Sequence, residues 1–503
     1  MTTALISAGE LGAWRRIRHY AVPARMIRAA TEARLTGDWR AACAAAAVDV
    51  DAGADFGPFE DDLRHFAPDL LRWHLPRNPG RGDTTIAPRL LTVLVRGDGR
   101  ALCVELPRLG FGSQWLRLVV LDEDDVKDDD RYHGLHEVTE RRYLWDAREA
   151  PELLARTSPG FRDSPVLALQ DADRQVEAWN AGGIALDEAP EFEDDDWRMR
   201  YFRRALATFD LDPAVVLAAA RDRGMDTVRL RVGWYNEIHV TGILGGDRPR
   251  GEWVPNDRED SDGLLDADTL RRPIDVHLVR LGLLPPERLH PLVLAAFDPS
   301  ATWRPFEPPA GAPVRVRCGD ASGPAWHDVR MADGKFTVPH SDEERQREET
   351  MRALGGATHG CFAAERAWRH RGERLPRELE EQRRDLMLRA QHGDLAGVTA
   401  LLDAGIDPHA RDLHGRTLLH LLSCLGGDLG LLDRLLAAGL DLDDRDNRGY
   451  SVLHNAVRAG GSPELVRALL AAGADPDTED FVGDTLADDV ERLREHDLAF
   501  LIA

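Results

Sequence analysis

The sequence lacks the features that most directly assign a function. No apolar run approaches the roughly 20 residues that a helix needs to span a bilayer, and no charged-then-apolar signal segment opens the chain. Glycine-rich phosphate loops, GxSxG elbows and Cys/His nucleophile signatures are also absent from the sequence. We therefore expect a soluble protein with no membrane partner, and no motif of a common enzyme class points to catalysis.

Lysine is scarce, and the cysteines show no paired spacing. Lysine occurs only at Lys127 and Lys335, whereas lysine and arginine together number 64, and this usage suggests a GC-rich bacterial genome. The cysteines are odd in number, scattered and without CxxC spacing, so the sequence predicts neither a disulfide framework nor a zinc site. We expect no metal, no cofactor and a reducing, cytoplasmic location. The five cysteines are Cys43, Cys103, Cys318, Cys361 and Cys424.

The sequence has fewer positively charged than negatively charged residues. The formal net charge is −24. Because contacts of Lys and Arg with phosphate supply most of the general affinity for nucleic acid, this charge argues against a nucleic-acid partner. The acidic run at residues 122–130 has Lys127 where a calcium loop would place glycine, which favours a solvated loop over a metal site.

The last quarter of the chain repeats itself. A nine-residue segment recurs twice at a spacing of 34 residues, first closely and then in a degenerate form, and each copy follows a matching tail. A fixed period between about 20 and 50 residues indicates stacked units, because one unit cannot bury its apolar face alone. The copies are residues 412–420, 446–454 and 480–488, and their tails are residues 401–408, 435–442 and 469–476.

This stretch, residues 383–503, resembles ankyrin repeats and is called the repeat array below. The resemblance implies that each unit is a turn followed by two antiparallel helices. Gly415 and Gly449 fit the turn, and Thr417 and Ser451 follow as helix N-cap residues. The proline of the family's Thr-Pro-Leu-His motif is missing from every copy, and the last copy has Asp488 in place of the histidine.

The resemblance implies a binding function, because stacked units present an extended surface to a partner. It also gives His420 and His454 a structural role in bonding helix to turn. We predict that the array binds a protein, of unknown identity, through its turn tips and inner helices. The candidate contact residues are His414, Arg416, Arg448, Tyr450, Asn455 and Arg458.

Two leucines predict a contact within the chain. Leu421 and Leu425 occupy inner-helix places that are polar in the next unit, at Asn455 and Arg458. An isolated array would therefore expose apolar surface to water. We expect the N-terminal body, or the helix ending near Glu381, to dock on the array and cover one or both leucines.

The rest of the chain matches no family that we recognise. All twelve tryptophans precede the array. We expect a helical region at residues 1–78, one or two α+β domains at residues 79–340 and a helical connector at residues 341–382, ahead of the array at residues 383–503. The connector opens on a capping-box sequence at Ser341. The fold is thus predicted to be multidomain, with an α+β N-terminal body followed by an all-α, ankyrin-like array.

Short alternating patterns in the middle region predict strands. Residues 92–105 and 166–179 have the pattern of hairpins, and residues 227–241 and 274–281 have the pattern of strands. Helical patterns at residues 151–156 and 199–223 interrupt them.

Catalysis in the body is the alternative to a binding role. Residues 133–137 hold two histidines and a glutamate but lack the HExxH spacing of a metal site. Glu237 with His239, and Asp275 with His277, each share a face of a predicted strand and would suit acid/base chemistry only if they converged. We assign no catalytic residue. The favoured function is that of an adaptor or regulatory protein, and the alternative is an enzyme or effector whose body is catalytic and uses the array to capture a partner or substrate.

Overall fold

A computed structural model shows an α+β N-terminal body with mixed sheets and a helical C-terminal region, as the sequence predicts. The structure describes residues 5–77, 84–110, 112–128, 132–187, 207–232, 236–255, 264–265, 267–306, 313–320, 323–355, 359–370, 374–493 and 498.

The chain begins with short amphipathic helices. Ser7 and Asp38 cap the first and third of them, because each side chain accepts a hydrogen bond from a backbone N–H of the first turn. The bounds are α1 (Ala8–Tyr20), α2 (Ala24–Leu35), α3 (Trp39–Ala45), α4 (Glu60–His65) and α5 (Pro68–His74).

The first sheet has five strands in the order β1-β4-β3-β2-β5. The three central strands pair antiparallel, and the two edge strands pair parallel to their neighbours. The predicted hairpin of β2 and β3 is confirmed, with Asp98 and Gly99 at positive φ in its turn. The bounds are β1 (Val48–Val50), β2 (Leu90–Gly97), β3 (Arg100–Glu105), β4 (Leu116–Asp122), α6 (Glu123–Asp128) and β5 (Gly134–Glu137).

The N-terminal helices and one face of this sheet share a hydrophobic core. Trp73 and Trp145 are buried in it, and the helix α12 (Pro291–Phe297) adds Leu294. Both indole rings are among the largest fully buried side chains of the described residues.

The second sheet has the order β10-β7-β8-β9-β6 and packs on two helices that bury Trp179 and Val216. The bounds are α7 (Leu153–Thr157), α8 (Pro165–Asp171), α9 (Gln175–Ala181), β6 (Ala185–Leu186), α10 (Pro213–Asp222), β7 (Thr227–Val232), β8 (Asn236–Thr241), β9 (Arg250–Pro255), β10 (Leu264–Leu265) and α11 (Ile274–Arg280). The helix predicted at residues 199–223 thus corresponds to α10 in its second half, while its first residues fall outside the described part. The strand predicted at residues 227–241 is the antiparallel pair β7 and β8.

Two strand predictions were wrong. Residues 166–179 lie in helices α8 and α9, where Ser164 caps the first helix and Asp173, at φ 59°, turns the chain between the two. Residues 274–281 form α11, which begins after Pro273. Apolar alternation over so few residues does not separate a strand from a buried helix.

A third, antiparallel sheet packs with the array. It consists of β11 (Val314–Asp320), β12 (Gly323–Ala332) and β13 (Lys335–Thr337), and the helices α13 (Asp342–Ala353) and α14 (Gly360–Arg369) follow. Ser341 and Glu344 form the predicted capping box of α13. Buried residues of this sheet, of α14 and of the array belong to one core cluster. The predicted boundary at residue 340 therefore runs through a shared core.

The repeat array is a row of helices joined by tight turns. In the unit that begins near Asp412, a single 3-10 turn, Leu419–Leu421, stands where an inner helix is expected. Leu435 and Leu469 are buried at equivalent places, and Leu401 is half-buried. The bounds are α15 (Arg377–Gln391), α16 (Leu395–Asp403), α17 (Leu429–Ala437), α18 (Val452–Arg458), α19 (Pro463–Ala471) and α20 (Leu486–Leu493).

Candidate binding site

The turn tips of the array are built by a repeated aspartate. Oδ1 of Asp412 accepts hydrogen bonds from the backbone N–H groups of His414 and Arg416, and Asp446 holds Arg448 and Tyr450 in the same way. Asp480 repeats the arrangement once more. Each aspartate thus satisfies two donors that the turn would otherwise leave unpaired.

Glycine is required in these turns for two reasons. Gly415 and Gly449 have φ values of 79° and 86°, which a residue with Cβ rarely adopts. A Cβ atom on Gly449 would also lie 2.7 Å from the backbone nitrogen of Phe481 in the next turn. Neighbouring turns are joined there, because the N–H of Phe481 donates to the carbonyl of Arg448 and that of Asn447 donates to His414.

The two motif histidines bond helix to turn, as predicted. Nδ1 of His420 accepts from the N–H of Thr417, so Nε2 carries the proton and donates to the carbonyl of Tyr450 at 3.3 Å. Burial lowers the pKa of His420 to about 4, against the opposing charge of Asp446. His454 lies 3.0 Å from Oγ of Ser451 through Nδ1. Both side chains are buried in the array and have a structural role.

The structure distributes the six predicted contact residues unevenly. His414 and Arg448 are exposed at turn tips. Arg416 is only 4 % exposed and pairs with Asp412 at 2.8 Å. Tyr450 and Asn455 are buried, with the guanidinium of Arg458 over the Tyr450 ring at 4.5 Å. Arg458 at the end of α18 also pairs with Asp489 of α20, so this side chain is held between two helices.

A cleft of about 600 Å³ lies where the array meets the N-terminal body. Five of the six predicted residues line it, all except Arg458. The opposite walls come from α15 and from the body, which contributes Arg16, Thr84 and Gly110. We call this space the arginine cleft. The body wall could not be predicted from a local pattern, because these residues lie hundreds of positions before the turns.

The arginine cleft is positively charged in an acidic protein. Six arginines and three carboxylates line it. The arginines are Arg16, Arg383, Arg384, Arg411, Arg416 and Arg448, and the carboxylates are those of Glu380, Asp412 and Asp446. A cleft of one sign with low-dielectric walls concentrates ligands of the opposite charge.

Among the residues that the structure describes, part of this positive charge has no carboxylate partner. Glu380 pairs with both Arg383 and Arg384, whereas among the described residues no carboxylate pairs with Arg16 or Arg448. Burial lowers the pKa of Arg16, and the charge of nearby Arg384 lowers it further. The cleft therefore favours an anionic ligand that would neutralise these guanidinium groups.

Direct contacts join the body to the array around the cleft. Nε2 of His392 lies 3.1 Å from Oγ1 of Thr84, and the N–H of Ser113 donates to the carbonyl of Ala459 at 3.0 Å. Arg25 of α2 pairs with Asp394. These contacts lie at two separate places along the array, at residues 392–394 and at Ala459, so they fix its orientation as well as its position.

The two inner leucines are not exposed. Leu421 and Leu425 are 1 % and 3 % exposed and belong to the core cluster that also holds Leu386 of α15. Gly426, next to Leu425, faces the ring of Trp115 from the body. The apolar patch expected from the sequence is thus covered within the chain.

The residues weighed for catalysis do not converge. Glu237 pairs with Arg229 and lies beside His239 on the second sheet, whereas Asp275 accepts two bonds from Arg18. His277 points to Asp210 instead. The histidine-rich segment at residues 133–137 lies on the edge strand β5.

A comparison with curated proteins finds no match to the chain. None of the helices that the structure describes is both long and apolar enough to cross a membrane. The family model for ankyrin repeats, in three copies, matches residues 386–480. The C-terminal part of the chain therefore consists of ankyrin repeats, the scaffold on which the turn tips and the arginine cleft are built.

Proposed function

We propose that this protein is an adaptor or regulatory protein that captures an acidic segment of a partner protein in the arginine cleft. Ankyrin repeats are generally protein–protein interaction modules, which supports a protein partner. The observation that carries the proposal is the excess of arginine in a cleft of about 600 Å³, in a chain whose net charge is −24.

Arginine suits the capture of carboxylates. Its planar guanidinium donates two parallel hydrogen bonds to one carboxylate, and it loses less hydration on binding than an ammonium group does. Arg448 at the turn tip and Arg384 on α15 line the same cleft. A segment with several aspartates or glutamates would offer a carboxylate to each of them.

The mouth of the cleft adds an apolar contact. Leu413 lines the cleft and is 69 % exposed at a turn tip. An exposed leucine in the cleft that also holds Arg448 fits a segment that carries an apolar residue among its acidic ones. Burial of such a side chain supplies affinity, while the charges supply specificity and a faster encounter.

In this function the N-terminal body forms the second wall of the binding site. The contacts of Thr84 with His392 and of Ser113 with Ala459 hold that wall in place. A partner would thus contact body and array together. We also place the protein in the bacterial cytoplasm, which its free, buried cysteines support.

A charge reversal with a matched control tests the proposal. In Arg448→Glu an exposed cleft arginine becomes acidic, and in Arg467→Glu the same change occurs on the exposed outer helix α19. Full-length wild-type protein and both variants are used to capture proteins from the source cell, and quantitative mass spectrometry compares the captured sets. We expect Arg448→Glu to lose at least tenfold of the specific partner and Arg467→Glu to keep it. Equal capture by both folded variants would contradict the proposal.

Catalysis in the body is the second candidate function, and one observation favours it. Nε2 of His277 lies 2.6 Å from Oδ2 of Asp210, at a separate cavity of about 560 Å³, and its Nδ1 has no hydrogen-bond partner among the described residues. Burial raises the pKa of Asp210, but His277 and Arg272 outweigh it and lower the pKa below its usual range. An imidazole oriented by a carboxylate is a common acid/base arrangement. A screen of hydrolase substrates with wild-type protein and His277→Gln would support this function if turnover were lost in the variant.

A further inference from the structure

Four side chains from separate parts of the chain meet beside the third sheet. Cys318 is on β11, His327 is on β12, His340 follows β13, and Cys361 is in the first turn of α14. One ligand atom from each residue lies within 4.8 Å of all the others. Successive members are 9, 13 and 21 residues apart in the sequence. None of these intervals is the short paired spacing by which zinc sites are recognised in a sequence, and the spacing therefore predicted no metal.

The distances within this cluster fit a tetrahedron around a metal ion. Nδ1 of His327 lies 3.1 Å from Nε2 of His340, Sγ of Cys318 lies 3.5 Å from the same Nε2, and Sγ of Cys361 lies 3.6 Å from Nδ1 of His327. Zinc bonds of roughly 2.3 Å to sulfur and 2.0–2.1 Å to nitrogen place tetrahedral ligands about 3.3 Å apart for two nitrogens and about 3.5 Å apart for nitrogen and sulfur.

The backbone is arranged for this approach. β11 and β12 pair antiparallel with Val316 opposite His327, so Cys318 and His327 project from the same face of the sheet. Gly360, at φ 59°, precedes Cys361, and a Cβ atom there would lie 2.4 Å from Sγ of Cys318. Only glycine lets the start of α14 come this close to the thiol.

The second ring nitrogen of His340 also has a carboxylate partner, as in many metal-bound histidines. Nε2 of His340 faces the cluster, while its Nδ1 lies 3.4 Å from a carboxylate oxygen of Glu344. The same oxygen accepts the N–H of Ser341 in the capping box, which fixes the carboxylate. A carboxylate behind the second ring nitrogen orients a metal-bound imidazole and selects its tautomer.

We propose that Cys318, His327, His340 and Cys361 bind one zinc ion as a structural site. Two thiolates and two imidazoles in tetrahedral array select zinc among the common cations, and four protein ligands leave no open position for catalysis. The site would fasten the three-stranded sheet to α14. The ion would add to the core that this sheet shares with α14 and the array.

The proposed ion also bears on the repeat array. Nε1 of Trp368 on α14 donates to the carbonyl of Asp407, and the guanidinium of Arg369 pairs with the Asp407 carboxylate at 3.0 Å. The N–H of Phe336 on β13 donates to that carboxylate too. Zinc would thus join the third sheet to α14, and both of these elements bond to Asp407 near the start of the array.

Metal content tests the proposal with a matched pair of variants. Full-length protein is expressed and purified without chelators, and zinc is measured by plasma mass spectrometry for the wild type, Cys361→Ala and Cys43→Ala. Cys43 is equally buried but lies in the N-terminal core. We expect about one zinc per chain for the wild type and Cys43→Ala, and at least a tenfold loss for Cys361→Ala.

Two further measurements, cobalt absorption and cysteine alkylation, test the proposal even if Cys361→Ala fails to fold. Wild-type protein stripped of metal and given Co²⁺ should show the absorption bands of tetrahedral thiolate coordination, and zinc should protect Cys318 and Cys361 from alkylation. Three results would overturn the proposal: no zinc in or taken up by the wild type, a Cys318–Cys361 disulfide by mass, or full zinc retention by both Cys361→Ala and His327→Ala.

Discussion

The imidazole of His392 in the repeat array lies 3.1 Å from the hydroxyl of Thr84 in the N-terminal body, although the two residues are 308 positions apart. His392 is buried, and burial, together with the charges of Arg77 and Arg72, lowers its pKa well below the ordinary value. A neutral imidazole is therefore part of the seam that joins body and array beside the arginine cleft.

The close contact between Gly112 and Ala459 in this seam can be tested by adding a methyl group at Gly112. A Cβ atom on Gly112 would lie 2.7 Å from the carbonyl oxygen of Ala459, which accepts the bond from Ser113. We expect Gly112→Ala to push the two surfaces apart at a cost of about 1–3 kcal/mol. Amide exchange of residues 451–460 should become faster, as measured by mass spectrometry of the full chain.

Gly9→Ala is the control for this change, because a Cβ atom on Gly9 in α1 would meet nothing within 4 Å. It should leave exchange in the array unchanged. Identical exchange in the two variants would mean that the contact between Gly112 and Ala459 does not hold the array on the body.

Acid should weaken the array through His420. The pKa of this histidine is about 4 in the folded chain because of burial, against an unperturbed value of 6.5. The stability that neutral His420 contributes to the array is thus fully present above pH 6.5 and is lost as the pH falls from 6.5 towards 4. We expect about 2 kcal/mol of local stability to be lost between pH 7 and pH 5.

The measurement is amide exchange of residues 417–425 at both pH values, corrected for the intrinsic rate, in wild type and His420→Gln. The variant should be less stable at pH 7 but lose less stability on acidification, because other buried histidines contribute equally to both proteins. An equal pH response in the two proteins would show that His420 is not held neutral.

The turn aspartates should matter far more than their acidic neighbours. Asp446 accepts two backbone N–H bonds in its turn, whereas Asp443 is exposed. Asp446→Ala leaves two donors unsatisfied and should cost about 2 kcal/mol or more, while Asp443→Ala should cost under about 0.5 kcal/mol. Urea unfolding followed by circular dichroism compares them, and equal midpoints would contradict this role of the turn.

The sequence was informative where structure depends on local, repeated contacts. The 34-residue period, the turn glycines and His420 were predicted because each unit makes the same bonds within itself or to the next unit. Residues 166–179 and 274–281 were predicted wrongly, since a few alternating apolar residues fit a buried helix equally well.

Long-range contacts could not be read in this way. Arg16 reaches the cleft only because α1 packs near α15, and no local pattern records that packing. Cys318 and Cys361 meet through the path of the third sheet. Their separation of 43 residues gave no spacing to recognise.

Photo-crosslinking from the mouth of the arginine cleft tests the central claim most directly. Leu413, exposed and lining the cleft, is replaced in the full chain by p-benzoylphenylalanine, and Leu354, exposed at the end of α13, is replaced likewise as the control. After irradiation in the source cell, cross-linked peptides are identified by mass spectrometry. We predict that the Leu413 position alone captures a specific partner and that the captured peptide is rich in aspartate and glutamate. Capture of the same proteins from both positions, or of peptides without an excess of acid, would contradict the account.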